Sequence, residues 1–250
     1  RPETIFGVTN LWVNPNVTYK KVTVDSETWI VSEQCARKIA FFEKEVKIIG
    51  DIAGSEIIGK SAIAPNRGNE IPILPAEFVE PGMGTGLVMS VPAHAPKDYQ
   101  ALMDLKAKNH ELASKIEPIP IIVTPGYDVF PAKQICEKLG VSNQTDEKLE
   151  EATKELYLKE FTDGKLNEKC DIFNNEKVQF GRDKVREWLQ ENNHLEKFPV
   201  LENAPVHCRC GAECVVKILN NQWFLNYGDE EWKELARNCF DEIGRASCRE

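Results

Sequence analysis

The sequence lacks any continuous apolar run near the roughly 20 residues that a membrane-spanning helix needs. It also lacks the basic-then-apolar order of a signal peptide and an initiating Met, since it starts Arg-Pro-Glu-Thr. Positive charge is in deficit, because 31 Lys and Arg face 40 Asp and Glu and leave a net charge of −9. These absences exclude a membrane protein and a sequence-independent nucleic-acid binder, and they predict a piece of a longer protein.

Histidine is scarce, with four residues, and the eight Cys are scattered unevenly along 250 residues. A disulfide framework is typical of small secreted domains, whereas this chain is long enough to bury a sizeable core. The cysteine pattern therefore favours a reducing, cytoplasmic location.

Short β-branched and aromatic runs, separated by turn formers, fill residues 5–31 and 46–92. Runs punctuated by Gly and Pro, without long helical patterns between them, predict strands and hairpins. The predicted strands lie at 8–9, 11–13, 22–24, 29–31, 46–50, 71–74 and 87–91. They predict a mixed, antiparallel-rich sheet, for which closure into a barrel is one arrangement.

The hydrophobic period becomes helical after Pro96, which suits a first helical position and puts Asp98 in the first turn. Two further helices, the earlier one with Thr145 as N-cap, are indicated by Leu149, Ala152, Leu156, Val185, Trp188 and Leu189. The fold class is thus α/β, with peripheral helices in the second half. Turn formers at 192–193 and 199–205 predict a linker and a domain edge near residue 200.

Three segments carry residues suited to chemistry, at 1–15, 82–99 and 207–228. Asp98 at a solvent-accessible helix start should stay ionised near the positive end of the helix dipole and can hold an ammonium group. Composition alone favours the alternative, a helix-start Asp that serves stability by about 0.3–1 kcal/mol. His94, between strand and helix, is equally compatible with a ligand contact and with a structural role. The glycine-rich stretch at 82–86 precedes a strand, so it does not fit a phosphate loop.

These segments together closely resemble the editing domain inserted into leucyl-tRNA synthetases of the archaeal and eukaryotic cytosolic type. The resemblance rests on RPETIFGVTNLWVNP at 1–15, GTGLVMSVPAHAPKDY at 84–99, and the phrases ETWIVS, ILPAEFV and NQWFLNYGDEEWKELAR. Valyl- and isoleucyl-tRNA synthetases carry related insertions, but ETWIVS and NQWFLNYG fit the leucyl type better. The resemblance covers the chain through about Phe240 and implies the editing-domain fold of class I synthetases.

The resemblance implies proofreading hydrolysis of the ester in tRNA(Leu) mischarged with isoleucine, valine, norvaline or a similar residue. Asp98 would bind the α-ammonium group of the misattached residue, and Thr4 would be the pocket wall that excludes leucine. Arg1 would steady the threonine-rich segment or face the tRNA end. The pocket for the acyl chain and the terminal adenosine would be lined by Thr9, Gly84, Thr85, Gly86, Met89, Ser90, Val91 and His94.

The cysteine cluster at 207–214 resembles a zinc knuckle, with Cys208, Cys210 and Cys214 as metal ligands beside His207. Four ligands at this spacing would be cramped. Related synthetases pair such a segment with a second Cys pair before the insertion, which is not in this sequence. We expect half a zinc site left as free thiols, with self-contained zinc as the alternative, and no cofactor for editing itself.

The resemblance divides the chain into an editing domain at 1–200, a return segment toward the synthetase body at 201–240 and a vector-encoded tail at 241–250. Neither the His-Ile-Gly-His nor the Lys-Met-Ser-Lys-Ser signature of the ATP-binding catalytic domain occurs. The expected partners are the 3′ end of mischarged tRNA(Leu) and the rest of the synthetase, with a monomeric chain that binds tRNA weakly. The alternatives are a non-catalytic module that docks the tRNA acceptor end and an acidic zinc-ribbon interaction domain.

Overall fold

A computed structural model describes residues 1–42, 44–65, 68–201 and 205–246. The chain forms two compact units, Arg1–Val216 and Lys217–Glu250. The first unit holds the nine described strands and seven of the described helices, and the second holds one helix. The predicted functional division at residue 200 stays a prediction, since it concerns segment roles and not compactness.

A four-stranded sheet carries the first two segments that the sequence singled out. Its order is β5–β6–β1–β7, with β1 parallel to β6 and the other pairs antiparallel. The strands are β1 (Asn10–Val13), β5 (Ser61–Ile63), β6 (Glu70–Pro75) and β7 (Leu87–Ser90). The apolar runs at 11–13, 71–74 and 87–91 therefore predict three of these strands correctly, whereas 8–9 precedes β1 and forms no strand.

The remaining strands form two smaller sheets. β2 (Thr18–Val24), β3 (Glu27–Ser32) and β4 (Val46–Ala53) make an antiparallel sheet in the order β3–β2–β4. β8 (Ile122–Val123) and β9 (Lys165–Leu166) pair as a short antiparallel ribbon. Among the described residues the sheets stay open, so the mixed, antiparallel-rich class is confirmed without closure into a barrel.

Seven described α-helices and two 3₁₀ helices, at Pro2–Gly7 and Glu168–Phe173, accompany the sheets in the first unit, and an eighth α-helix lies in the second unit. Their bounds are α1 (Glu33–Ile39), α2 (Gly54–Ile57), α3 (Pro96–Ala107), α4 (Glu111–Ser114), α5 (Pro131–Leu139), α6 (Lys148–Asp163), α7 (Val178–Glu191) and α8 (Glu230–Ala246). Within the described residues, no helix combines the length and the apolar character that a bilayer crossing requires.

The start of α3 at Pro96 confirms the prediction, but α6 begins later than expected. Thr145 is not the N-cap, because its Oγ1 donates to Asn143 Oδ1 in the preceding turn. Asp146 receives the backbone N–H of Lys148 and so closes that turn just before the helix. The interior positions Leu149, Ala152 and Leu156 are buried as predicted.

Several elements extend beyond the sequence predictions or were missed. α7 begins at Val178, ahead of the positions Val185, Trp188 and Leu189 that indicated it, and α1 and α5 were not predicted. α8 continues through 241–246, part of the stretch that we excluded as a vector-encoded tail. The last four tail residues, 247–250, lie outside the described residues.

The packing of α3 on the sheet fixes the geometry described below. Trp12, Leu74 and Leu102 are fully buried in one apolar cluster between β1, β6 and α3. Burying each such side chain contributes about 1.5–3 kcal/mol, so this cluster holds the first turn of α3 firmly against the end of β1.

Candidate functional site

The first two singled-out segments meet where β7 ends and α3 begins. β1 pairs with β7 so that Asn10 lies opposite Ser90. The chain then turns through residues 91–95 before Pro96 opens α3. This turn places the start of α3, and with it Asp98, at the edge of the β1–β7 pair.

Asp98 is buried, with 6% of its surface exposed. The sequence analysis had predicted a solvent-accessible position, and that prediction is wrong. Its Oδ1 accepts a hydrogen bond from Trp12 Nε1 at 3.0 Å, and its Oδ2 accepts one from Val91 N at 2.8 Å. These donors come from β1 and from the residue after β7, not from the first turn of α3. The carboxylate therefore ties the helix to the sheet.

Burial raises the pKa of Asp98 to about 6, and the hydrogen bonds from Val91 and Trp12 limit the rise. The sequence had predicted the opposite direction, because a helix N-terminus stabilises the ionised form. At neutral pH the carboxylate is still ionised but poorly compensated. An ammonium group brought against it would supply the missing positive charge.

Two buried polar atoms on the β1–β7 pair, Asn10 Nδ2 and Ser90 Oγ, have no hydrogen-bond partner among the described residues. Both residues are fully buried, and they share a sheet face with Trp12 because side chains alternate along a strand. Buried polar atoms without partners are costly and are common where a ligand or a water completes the site. Asn10 was missed in the sequence, where it reads as an ordinary residue before a strand.

His94 is fully buried, and both nitrogens of its ring are engaged by the protein. Nε2 accepts the backbone N–H groups of Ile121, at 2.8 Å, and Ile122, at 3.2 Å. Nε2 therefore carries no proton, so the proton of the neutral ring sits on Nδ1 and is donated to Glu160 Oε1 at 2.6 Å. This geometry supports the structural role for His94, and a contact between this residue and a ligand stays a prediction.

Arg1 lies in the same network, and this explains its placement beside the turn at 91–95. Its Nη2 contacts Glu160 Oε2 at 2.6 Å, and its Nε contacts Glu3 Oε1 at 3.0 Å. Its Nη1 donates to the carbonyl oxygen of His94 at 3.4 Å, and its guanidinium lies 4.2 Å from the centre of the Tyr157 ring. Arg1 is thus held by the protein on several sides.

Glu160 is the residue of this network that sequence reasoning missed. It lies on α6 in the same buried stripe as Leu149, Ala152 and Leu156, at helical spacing. A carboxylate at a stripe position expected to be apolar signals a buried charge partner, and that signal is readable in the sequence.

Thr4 and Thr9 are both buried, and each hydroxyl donates locally. Thr4 Oγ1 donates to the carbonyl oxygen of Arg1 at 2.8 Å, which also accepts Thr4 N at 3.1 Å. Thr9 Oγ1 donates to Asn10 Oδ1 at 2.9 Å and so orients the amide of Asn10. Thr4 is therefore linked through Arg1 to Glu160, and Thr9 is linked to the β1 face beside Asp98.

The Gly84–Thr85–Gly86 turn packs against the three-stranded β3–β2–β4 sheet. Ser32 N donates to the carbonyl oxygen of Thr85 at 2.7 Å, and the Tyr19 hydroxyl donates to that of Gly86 at 2.9 Å. Gly86 has φ +79°, and a Cβ there would lie 2.7 Å from Ser32 Cβ. Close backbone packing explains Gly86, whereas an adenosine contact by this turn stays a prediction.

Gly86→Ala should therefore destabilise the fold more than Gly84→Ala, by about 1–3 kcal/mol in the free energy of unfolding. Both changes put a side chain at positive φ, but Gly84 has φ +51° and no atom within 4 Å of an added Cβ. Gly86→Ala also pushes Ser32, whose Oγ caps α1. Urea denaturation of the two variants gives the comparison, and equal losses would contradict a steric role for Gly86.

The remaining predicted pocket residues divide between two sides of β7. Met89 is 45% exposed and lies on the opposite face from Ser90, while Val91 is buried in the core and offers its N–H to Asp98. The structure brings Arg1, Thr4, Ser90, Val91, His94 and Asp98 to one region and leaves Gly84, Thr85, Gly86 and Met89 apart from it.

Two of the cavities in the first unit touch predicted residues. One of about 260 Å³ is lined by Thr9 together with Phe6, Ile71 and Ile116. Another of about 670 Å³ is lined by Gly84, Met83 and Phe198. Neither of these two cavities is lined by Asp98 or Thr4.

The cysteine cluster does not show a metal centre in this structure. Cys208 and Cys210 are joined by a disulfide, and Cys214 is separate from them. Across the described ranges, no group of three or more His, Cys, Asp or Glu side chains is arranged to hold a metal ion. Cys208 and Cys210 are thus not the free thiols that the sequence led us to expect, whereas Cys214 is a free cysteine.

Residues 1–118 match the family model described as leucyl-tRNA synthetase, editing domain. The chain is 45% identical to the leucine–tRNA ligase of Methanocaldococcus jannaschii, over 97% of this chain and 27% of that relative. For the leucine–tRNA ligase of Methanothrix thermoacetophila the identity is 48%, over 96% and 26%. The chain thus spans about a quarter of the length of the curated relatives that it matches.

Solved structures give a similar result. The fold resembles that of GlLeuRS-CP1 with a TM-score of 0.72 and 31% identity, covering 81% of each chain. It also resembles the editing domain of the cytosolic leucyl-tRNA synthetase of P. falciparum, with a TM-score of 0.68 and 22% identity over 76% of this chain and 74% of that one. The second likeness concerns the fold alone.

Proposed function

Because this chain belongs to the family of leucyl-tRNA synthetase editing domains, we propose that it hydrolyses the ester of mischarged tRNA(Leu). The acyl groups removed are isoleucyl, valyl, norvalyl or similar residues. The observation that carries the proposal is the buried, poorly compensated carboxylate of Asp98. It lies in the family-matched part of the chain, and its partner Trp12 shares a sheet face with the unpartnered polar atoms of Asn10 and Ser90.

The chemical need for such a site follows from the size of the acyl groups. Leucine differs from its competitors by the placement of a methyl group or by one carbon, and a hydrophobic pocket separates such pairs by only about 1–3 kcal/mol. A second site that admits the wrong residue and excludes leucine multiplies the two selections. This is the role that we propose for the chain.

In the proposed reaction Asp98 holds the α-ammonium group of the misattached residue and so orients the ester carbonyl. A water oxygen attacks the carbonyl carbon, the bond from that carbon to the ribose oxygen breaks, and the ribose oxygen takes up the proton that the water releases. No protein nucleophile is needed if the water is positioned. Asn10 Nδ2 and Ser90 Oγ are the unpartnered groups available to hold that water or the carbonyl.

Thr4 is the proposed sieve wall, and its placement is consistent with that role. It is buried, and its hydroxyl and amide both bond to the carbonyl oxygen of Arg1, so its side chain has a fixed orientation. A fixed wall is what steric exclusion of the branched leucine side chain requires.

Roles that involve the rest of the synthetase remain part of the proposal. We propose that tRNA is held mainly by the remaining part of a longer ligase, because this chain has a net charge of −9 and offers little phosphate affinity of its own. A cytoplasmic location and a monomeric editing unit go with this proposal. A non-catalytic module that docks the acceptor end is the competing function.

Deacylation of Ile-tRNA(Leu) by the purified chain separates these functions. The proposal expects release of isoleucine well above the rate without enzyme, with Leu-tRNA(Leu) spared. A docking module would bind the acceptor end without accelerating release, and that result would overturn the proposed hydrolysis.

A further inference from the structure

Glu160 on α6 has no assigned role, yet its carboxylate joins two parts of the proposed site. Oε1 accepts the Nδ1 proton of His94 at 2.6 Å, and Oε2 contacts Arg1 Nη2 at 2.6 Å. The side chains of Glu160 and His94 are fully buried, and that of Arg1 is 22% exposed. One carboxylate therefore binds a residue of the turn before α3 and a residue of the threonine-bearing segment.

The contact with Arg1 extends to Thr4. The carbonyl oxygen of Arg1 accepts both the hydroxyl and the amide of Thr4, at 2.8 Å and 3.1 Å. Displacement of Arg1 would move this oxygen, and the hydroxyl that fixes the Thr4 side chain would lose its acceptor. Glu160 is thus connected to Thr4 through the side chain and the carbonyl oxygen of Arg1.

The contact with His94 anchors the other side. Nε2 of His94 accepts the N–H groups of Ile121 and Ile122, which lie at β8. His94 is therefore fixed to β8 and to α6 together, and it gives Glu160 a stationary neighbour. A buried carboxylate with one fixed donor and one cation acts as a clamp, because moving His94 leaves Oε1 without its hydrogen bond and moving Arg1 leaves the buried charge uncompensated.

We propose that Glu160 is a positioning residue that sets leucine exclusion by holding Arg1, and through it Thr4, against the turn at 91–95. This inference rests on the proposed function, since leucine exclusion is a property of the proposed hydrolysis. It makes α6, which lies outside the family-matched residues 1–118, a part of the specificity apparatus.

Glu160→Gln separates the two halves of the clamp. The Nδ1–H of His94 needs an acceptor, so the amide oxygen of Gln must face His94 and the amide NH₂ must face the Arg1 guanidinium. The amide NH₂ of the introduced Gln and the Arg1 guanidinium are both donors, so the contact with Arg1 is lost. The hydrogen bond from His94 is kept. The matched control is Glu155→Gln on the same helix, which removes a surface contact with Lys138 and leaves the clamp intact.

The first measurement does not depend on activity. In ¹H–¹⁵N spectra, Glu160→Gln should shift the backbone amide resonance of Thr4 well beyond the change caused by Glu155→Gln, with a cooperative thermal transition retained. A Thr4 resonance that moves no more than in the control would overturn the inference, even if the proposed hydrolysis fails for the parent chain.

The second measurement is the ratio of deacylation rates for Ile-tRNA(Leu) and Leu-tRNA(Leu). Glu160→Gln should lower this ratio about tenfold or more, because the charge-assisted contact that orients the wall is lost. A merely structural role would lower both rates together, and an unchanged ratio would overturn the inference. If Glu160→Gln does not fold, Arg1→Gln breaks the same ion pair from its more exposed side, and the same two readouts decide.

Discussion

Asp98→Ala should reduce the hydrolysis of Ile-tRNA(Leu) by about 10²-fold or more, because truncating one partner of a buried charge pair typically costs about 2–5 kcal/mol. The lost partner is the carboxylate that would bind the α-ammonium group and orient the ester. Release of isoleucine measured under single-turnover conditions gives the size of the effect. Asp104→Asn, at a partly buried position of the same helix, is the matched control and should hydrolyse the ester normally.

Asp98→Ala should also lower the free energy of unfolding, and by more than the sequence analysis suggested. A helix-start carboxylate at an exposed site contributes about 0.3–1 kcal/mol. Asp98 instead accepts from Trp12 Nε1 and Val91 N, and a buried donor left without an acceptor costs about 1–3 kcal/mol. Urea denaturation should show a loss of about 2–4 kcal/mol. Normal hydrolysis by a folded Asp98→Ala variant would rule out the ammonium anchor.

The pH dependence of hydrolysis should also report Asp98. Its pKa is raised from 3.8 to about 6, so the protonated form is favoured by folding. The part of the stability that depends on protonation of Asp98 is therefore full below pH 3.8 and is lost as the pH rises through about 6. Binding of the ammonium group requires the ionised Asp98 carboxylate, so it strengthens as the pH rises while this part of the stability is lost. Single-turnover rates should fall as the pH is lowered through about 6, whereas a flat profile between pH 5 and 7 would contradict this assignment.

The strands and the start of α3 were predictable because their causes are local. Apolar runs bounded by turn formers give the strands, and Pro96 at a first helical position gives the start of α3. The start of α6 was less predictable, because Asn143 and Asp146 compete with Thr145 for the turn hydrogen bonds. Such local competition is decided by the folded turn and not by propensity.

The chemistry of the site was less predictable because it depends on contacts between distant parts of the chain. The burial of Asp98 is set by Trp12, 86 residues away, and the binding of Arg1 by Glu160, 159 residues away. In the sequence Asp98 looks like an ordinary helix-start acid, and its raised pKa arises only when β1 and α3 pack together. The stripe position of Glu160 was the one local signal of this network.

The expectation for the cysteine cluster, free thiols with a zinc site as the alternative, also depended on contacts that the sequence does not determine. Cys208, Cys210 and Cys214 are close in sequence, which suggested shared metal ligands. In the structure the first two form a disulfide, so they offer no thiolate pair to a metal. Sequence spacing defines which groups can meet, whereas the backbone path decides which of them do.

Thr4→Ala should make Leu-tRNA(Leu) a substrate, which is a gain of unwanted hydrolysis and not a loss of activity. Removing the methyl and hydroxyl groups enlarges the pocket where the branched side chain of leucine would clash. Because a pocket discriminates a methylene or methyl group by about 1–3 kcal/mol, leucine release should rise by roughly 10- to 200-fold. Isoleucine release should stay near that of the parent chain.

Two further substitutions at the same position separate bulk from hydrogen bonding. Thr4→Val keeps the volume of the wall but loses the hydroxyl that donates to the Arg1 carbonyl, so it isolates the contribution of orientation. Thr4→Phe should block every acyl group, because the wall then fills the space that isoleucine needs. Paired deacylation assays with Ile-tRNA(Leu) and Leu-tRNA(Leu) measure all three variants. If Thr4→Ala still spares Leu-tRNA(Leu) while clearing Ile-tRNA(Leu), then leucine is excluded by another residue, and the link from Glu160 through Arg1 serves only to hold the segment in place.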